Sequence, residues 1–168
     1  MKIAITGRPG IGKTTACIKI FNILKDKIPV KGFVTTEIRE KGIRIGFIMK
    51  ELHTDFSKIL SRKEPGFPRV GSYRVYLDSL EEMSRRIKDY RDSDLIIIDE
   101  VGPMELKSRK FVEAVDGLID SDSSLIFTVH YRSSHPLAER IRREFKLITL
   151  TEGNRDRIAE DVVMEFDL

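Results

Sequence analysis

The chain has 168 residues, with 30 Lys and Arg against 27 Asp and Glu, a net charge of +3, and no apolar stretch near the length of a bilayer span. That length suits one globular domain, residues 1–168, with a core of its own, and leaves no room for a second enzyme. One cysteine, Cys17, cannot close an internal disulfide, and three scattered histidines make no convincing metal cluster, so a reducing cytoplasm is the expected setting and no membrane partner is expected.

Lys2 to Thr6 is a short apolar strand that runs into a glycine-rich turn, and Lys13 to Lys27 shows apolar residues at helical spacing, with Cys17 as a small buried hydrophobe. Gly32 to Thr36 reads as a strand. Ile38 to Lys50 alternates around Lys41-Gly42, the signature of a hairpin inserted in an α/β core. Arg62 to Gly71, with Pro65, Gly66 and Pro68, has loop chemistry without periodicity and is expected as a surface excursion. Arg74 to Leu77 is a short strand, Asp78 an N-cap, and Ser79 to Tyr90 a helix. Leu95 to Ile98 is an unbroken β-type run, suited to a strand covered on both faces. A helix follows near Lys107 to Ile119, then a strand at Leu125 to Val129, a helix at Pro136 to Arg143, a strand at Lys146 to Thr151, and a helix from Asn154. Strands alternating with helices predict a mainly parallel sheet flanked by helices on both faces.

Gly7-Arg8-Pro9-Gly10-Ile11-Gly12-Lys13-Thr14 satisfies G-x-x-x-x-G-K-[ST] between a strand and a helix. In this phosphate loop, glycines let successive N–H groups turn inward around an anion, and the helix that follows presents its positive end to it. Lys13 is expected to bridge the β- and γ-phosphates, Thr14 to coordinate Mg²⁺, and Thr15 to reach the α-phosphate. The ligand is therefore a nucleoside triphosphate. Asp99 and Glu100 close the apolar run: an acid at that strand end can hold hydrated Mg²⁺, and Glu100 one step on can deprotonate water for in-line attack. Hydrolysis is the default reaction. A small-molecule or nucleotide kinase is the alternative, and a nucleotide-gated switch a third reading.

Asp99-Glu100-Val101-Gly102 also fits D-x-x-G, but Asn154-Arg155-Asp156 departs from the guanine-reading N-K-x-D pattern, so no base is assigned. Arg132, beyond the Leu125 to Val129 strand, is the candidate for a transition-state cation, with Arg39 and Arg140 as alternatives. Thr128 and His130 at that strand tip are candidates for sensing the γ-phosphate; His53 and His135 read as solvated loop residues. Arg85-Arg86 and Arg140 to Arg143 lie on helices without interleaved aromatics, so a solvated face is expected rather than a nucleic-acid partner. Interspersed charge, absent glutamine and asparagine only at positions 22 and 154 are the bias of a heat-adapted protein.

TGRPGIGKTT, KGFVTTEIREKGIRIGF, LIIIDEVGPMEL and EGNRDRI together make the chain resemble the small nucleoside-triphosphatases known from thermophilic bacteria and archaea, and in animals as cancer-related nucleoside-triphosphatase. The resemblance implies a RecA-like, additional-strand P-loop fold in which the acidic strand is not adjacent to the P-loop strand. It also implies slow Mg²⁺-dependent hydrolysis of several triphosphates to diphosphate and phosphate. Gly7 to Thr14 match the family's phosphate loop, and Leu95, Ile96, Ile97, Ile98, Asp99, Glu100, Val101 and Gly102 its second nucleotide-binding segment. Glu37, Arg39 and Glu105 match family positions without an evident role.

Overall fold

The computed structural model describes residues 1–166. They form a nine-stranded sheet whose order in space is β5-β6-β4-β3-β2-β7-β8-β1-β9. The parallel half comprises β1 (Lys2–Thr6), β7 (Leu95–Val101), β8 (Ser124–Val129), β9 (Lys146–Thr149) and the first residues of β2 (Val30–Glu40). β8 stands between β1 and β7, so the phosphate-loop strand and the acidic strand are not neighbours, as the family resemblance implied.

Side-chain alternation divides the parallel strands between two cores. Leu95 and Ile97 of β7, with Ile3 and Ile5 of β1, pack under α1 (Lys13–Leu24) and α5 (Ile158–Met164). Ile96 and Ile98, with Phe127 of β8, face α2 (Leu77–Lys88), α3 (Arg109–Ile119) and α4 (Pro136–Glu144). All four residues from Leu95 to Ile98 are fully buried, which explains an apolar run without polar alternation.

The predicted hairpin forms from β2 and β3 (Ile43–Glu51), turning at Lys41 and Gly42, both at positive φ, the conformation that matches strand twist in a two-residue loop. It is the start of a larger extension. β4 (Ser57–Arg62), β6 (Tyr73–Val75) and β5 (Arg69–Val70) add antiparallel to β3, so the sheet is mixed. The stretch expected to be all loop therefore ends in a strand: Arg69 and Val70 pair with Arg74 and Tyr73, and the Arg69 guanidinium donates to the carbonyls of Glu64 and Gly66. Tyr76, not Asp78, is the N-cap of α2, and Asp78 stands in the first turn, where its charge still complements the helix dipole. α3 begins at Arg109 behind the Ser108 cap, and α5 begins at Ile158 after turns that occupy the residues following Asn154. Among the described residues no helix is long and apolar enough to cross a membrane.

His53 and Arg86 differ from the solvated residues expected. Glu51, at the end of β3, is buried and accepts from Arg86 at 2.8 and 2.5 Å, from the Tyr90 hydroxyl at 2.6 Å and from Thr54 at 2.5 Å. His53 accepts from the Gly32 amide and stands edge-on to Tyr90. Burial raises the Glu51 carboxyl, but the Arg86, Thr54 and Tyr90 hydrogen bonds outweigh it and bring its pKa to about 2. This network locks the antiparallel extension onto α2.

Candidate active site

The carboxyl ends of β1, β7 and β8 meet at one edge of the sheet, where a doubly flanked parallel sheet opens its crevice. From β1 the chain enters the phosphate loop. Gly12 has φ 114° and stands as the N-cap of α1 with no side-chain cap; a Cβ there would meet nothing within 4 Å. The requirement is for a left-handed backbone facing open space, which leaves the first amides of α1 aimed outward to an anion. The Lys13 ammonium donates to the carbonyls of Gly7 (2.8 Å) and Arg8 (3.3 Å) and lies 3.8 Å from Glu100.

Thr14 and Asp99 meet across the crevice. The Thr14 hydroxyl donates to Asp99 Oδ2 at 2.6 Å, the Thr128 hydroxyl donates to Oδ1 at 2.6 Å, and the Thr35 amide reaches Oδ2 at 3.4 Å. Asp99 is only 2 % exposed. Burial raises its pKa, and the Thr128, Thr14 and Thr35 hydrogen bonds with the Lys13 charge oppose that. Thr128, proposed from sequence as a γ-phosphate sensor, instead has its hydroxyl committed to Asp99. A hydroxyl and a carboxylate side by side at a phosphate cradle are the hard-oxygen donors that suit Mg²⁺, which takes its other ligands from phosphate and water.

At Asp99 and Glu100 the ladder between β7 and β8 shifts register, and the Asp99–Glu100 peptide is cis. Burial, and next the Asp99 charge, push the Glu100 carboxyl up to about 7 against the pull of Lys13. Glu105, in the short 3-10 turn that follows, is 3 % exposed, and burial, then the Glu100 charge, raises its pKa well above the usual carboxylate range. Gly102 separates the two: a Cβ there would lie 2.5 Å from Glu100 Oε1 and 3.2 Å from Glu105 Oε2. Its backbone is not left-handed, so glycine serves here to leave room for carboxyl groups.

Arg132 is exposed and lies over the Tyr131 ring at 4.9 Å. Arg39 pairs with Glu37 on the hairpin, and Arg140 takes three carboxylates, those of Asp116, Asp120 and Glu144, tying α4 to α3. The weaker finger candidates are thus committed to ion pairs. His135 caps α4 by accepting from the Leu137 amide. His130 has its pKa lowered by burial and by the Lys13 charge. Cys17 lies behind the site, its thiol pushed up by burial and by Asp99 and Glu100, an inert residue as read from sequence.

Beside the loop is a cavity of about 740 Å³ whose lining includes Gly7, Arg8, Ile11, Tyr131, Leu150 and Thr151. Tyr131 and Leu150 carried no sequence signal, because the loops that bear them meet only in the fold. The Arg8–Glu152 pair, 2.5 Å, joins the phosphate loop to the turn after β9. Asn154 is committed within that turn: its Oδ1 accepts from the Thr151 amide and its Nδ2 donates to the Thr149 carbonyl.

The family model described as NTPase matches residues 2–163. A nucleoside-triphosphatase THEP1 of Archaeoglobus fulgidus is 51% identical over 162 residues, covering 96% of each chain. Another, from Thermotoga maritima, is 42% identical over 168 residues, covering 97% of this chain and 94% of the relative. The crystal structure of THEP1 from the hyperthermophile Aquifex aeolicus superposes over the whole of both chains with a TM-score of 0.85 at 38% identity. The solution structure of a human cancer-related nucleoside triphosphatase gives 0.81 at 32% identity, over 99% of this chain and 97% of that one. A phosphate loop facing a buried aspartate across an intervening strand, in a chain matched nearly end to end by these proteins, places it in the NTPase family, the nucleoside-triphosphatases.

Proposed function

We propose that the chain hydrolyses nucleoside triphosphates to diphosphate and phosphate with Mg²⁺, with little discrimination between bases. The reading rests chiefly on the position of Glu100, which follows Asp99 at the strand end with its carboxylate 3.8 Å from the phosphate-loop lysine. A carboxyl held there, its pKa raised by burial, is placed to act as a general base. Gly7 to Thr14 hold the phosphates, with Thr15 beyond them. Lys13 moves from its loop carbonyls to phosphate oxygens, and Thr14 with Asp99 would hold the ion. Bound Mg²⁺ would offset phosphate charge.

Glu100 orients a water molecule and takes one of its protons as the water oxygen bonds to the γ-phosphorus. The bond from that phosphorus to the bridging oxygen breaks, and the electron pair leaves with the diphosphate. Leu95 to Ile98 contribute by fixing Asp99 and Glu100 at the strand end, with Val101 and Gly102 shaping the turn. Arg132 is the cation we assign to the developing γ-phosphate charge.

The cavity beside Gly7 and Arg8 offers Ile11, Tyr131 and Leu150 for stacking, and the Asn154 amide is already committed to its own turn. Loose stacking accounts for about 1.4 kcal/mol of selection, a factor of ten, whereas strict selection needs buried hydrogen-bonding groups. The test is kcat/KM for ATP, GTP, CTP and UTP with phosphate release measured under one Mg²⁺ concentration. Values within about tenfold are expected. A preference above about a thousandfold for one base would overturn the broad reading.

A further inference from the structure

A second concavity, of about 480 Å³, opens beside the acidic turn, with Pro103 in its lining. Its walls come from β5, the turn after β7, and the loop between β8 and α4. Arg69, Lys107 and Arg132 line it together with His130 and His135, and no carboxylate does. Among the described residues none of those three cations is in an ion pair. Arg69 donates to backbone carbonyls, Arg132 lies over Tyr131, and Lys107 is exposed. Arg140, a few residues beyond the loop, shows the contrast by taking three carboxylates. Ser133, Ser134 and His135 enter α4 from this groove, so the positive end of that helix adds to the same field.

The groove adjoins the catalytic edge. Pro103 follows Gly102 directly, and the His130 amide donates to the Val101 carbonyl at 3.2 Å. Converging positive charge without acids attracts an anion. The apolar wall of Val70, Pro103 and Leu106 suits a carbon skeleton. The hydrolytic reading uses Arg132 alone among these cations and gives Arg69 and Lys107 no part.

We propose that this groove is a second ligand site, which seats a small organic anion carrying a phosphate or a carboxylate group while a triphosphate occupies the phosphate loop. The site is distinct from the cavity beside Gly7 and does not depend on which bases are hydrolysed.

The test uses the whole protein saturated with Mg²⁺ and a non-hydrolysable ATP analogue, so that the phosphate loop is filled. Glycerol 3-phosphate and, separately, succinate are titrated in while backbone amide resonances are followed by NMR. Saturable shifts are expected at residues 105–107 and 133–135 for at least one probe, and the probe that binds identifies the head group. Lys107→Glu should weaken that binding by about tenfold or more, the scale of one charge contact, with the affinity for the ATP analogue unchanged. Lys107 is exposed and unpaired among the described residues, so the variant keeps its fold, and Lys107→Gln should give a smaller loss in the same direction. No shifts with either probe, or binding that is the same in Lys107→Glu as in the parent, would overturn the proposal.

Discussion

Gly102→Ala tests whether the geometry of Glu100 governs turnover. The new Cβ would lie 2.5 Å from Glu100 Oε1, where ordinary contact begins at 3.4 Å, so the carboxyl must retreat by about 0.9 Å. Retreat is cheap for the fold, since the atom met is the end of a side chain and Gly102 needs no left-handed backbone. It is costly for chemistry, because a displacement of about 1 Å from the reacting position lowers rate by about 10². Direct removal of the base, in Glu100→Gln, should cost about 10² or more. The two variants are therefore expected to fall to similar turnover, each with parental affinity for a Mg²⁺-bound non-hydrolysable ATP analogue. The assay is single-turnover phosphate release beside equilibrium binding, with circular dichroism to confirm folding. A folded Gly102→Ala protein that hydrolyses ATP at the parental rate would refute the idea that Gly102 keeps space for Glu100.

Lys13→Ala should abolish turnover with the thermal midpoint little changed, because Lys13 bonds to loop carbonyls and not to the core; retained activity would remove the phosphate loop from the mechanism. Asp99→Asn should raise the Mg²⁺ concentration needed for half-maximal rate, and Thr128→Val, which deletes one of the hydrogen bonds on Asp99, should shift it less, in titrations of rate against Mg²⁺. Glu51 supplies a prediction about stability. Its pKa falls from an ordinary 4.5 to about 2, so it stabilises the fold at pH above about 4.5 by about 3 kcal/mol, and that contribution is lost as pH drops through 4.5 towards 2. Urea midpoints should show this loss in the parent and not in Glu51→Gln, whose stability at neutral pH is lower while kcat is unchanged; equal acid sensitivity in both would contradict the assignment.

The phosphate loop was legible in the sequence because its chemistry is local: eight consecutive residues specify the backbone turns and the lysine. The apolar run ending in Asp99-Glu100 was legible for a similar reason, since a strand buried on both faces has no polar alternation to hide it. β5 escaped notice because two paired residues cannot display a period amid Pro65, Gly66 and Pro68, and Arg69–Val70 became a strand only when β6 was there to pair with it. Arg86 looked like a solvated helix residue because nothing in its own helix shows that Glu51, 35 positions earlier, is buried opposite it.

Sequence by itself determined the nucleotide-binding class, the alternation of strands and helices, and the identities of the lysine, hydroxyl and carboxylates of the candidate site. Tertiary structure decided how they meet. Insertion of β8 between β1 and β7 brings Thr14 to 2.6 Å from Asp99 across a separation of 85 residues, and the packing of α2, α3 and α4 against the sheet buries the core beneath Glu105. It also gathered Arg69, Lys107 and Arg132 around one groove, although they lie on three separate segments. The physical reason is range: backbone conformation and residue chemistry are written over a few neighbouring positions, whereas burial, pKa and charge convergence depend on distant segments that only strand pairing and helix packing bring together.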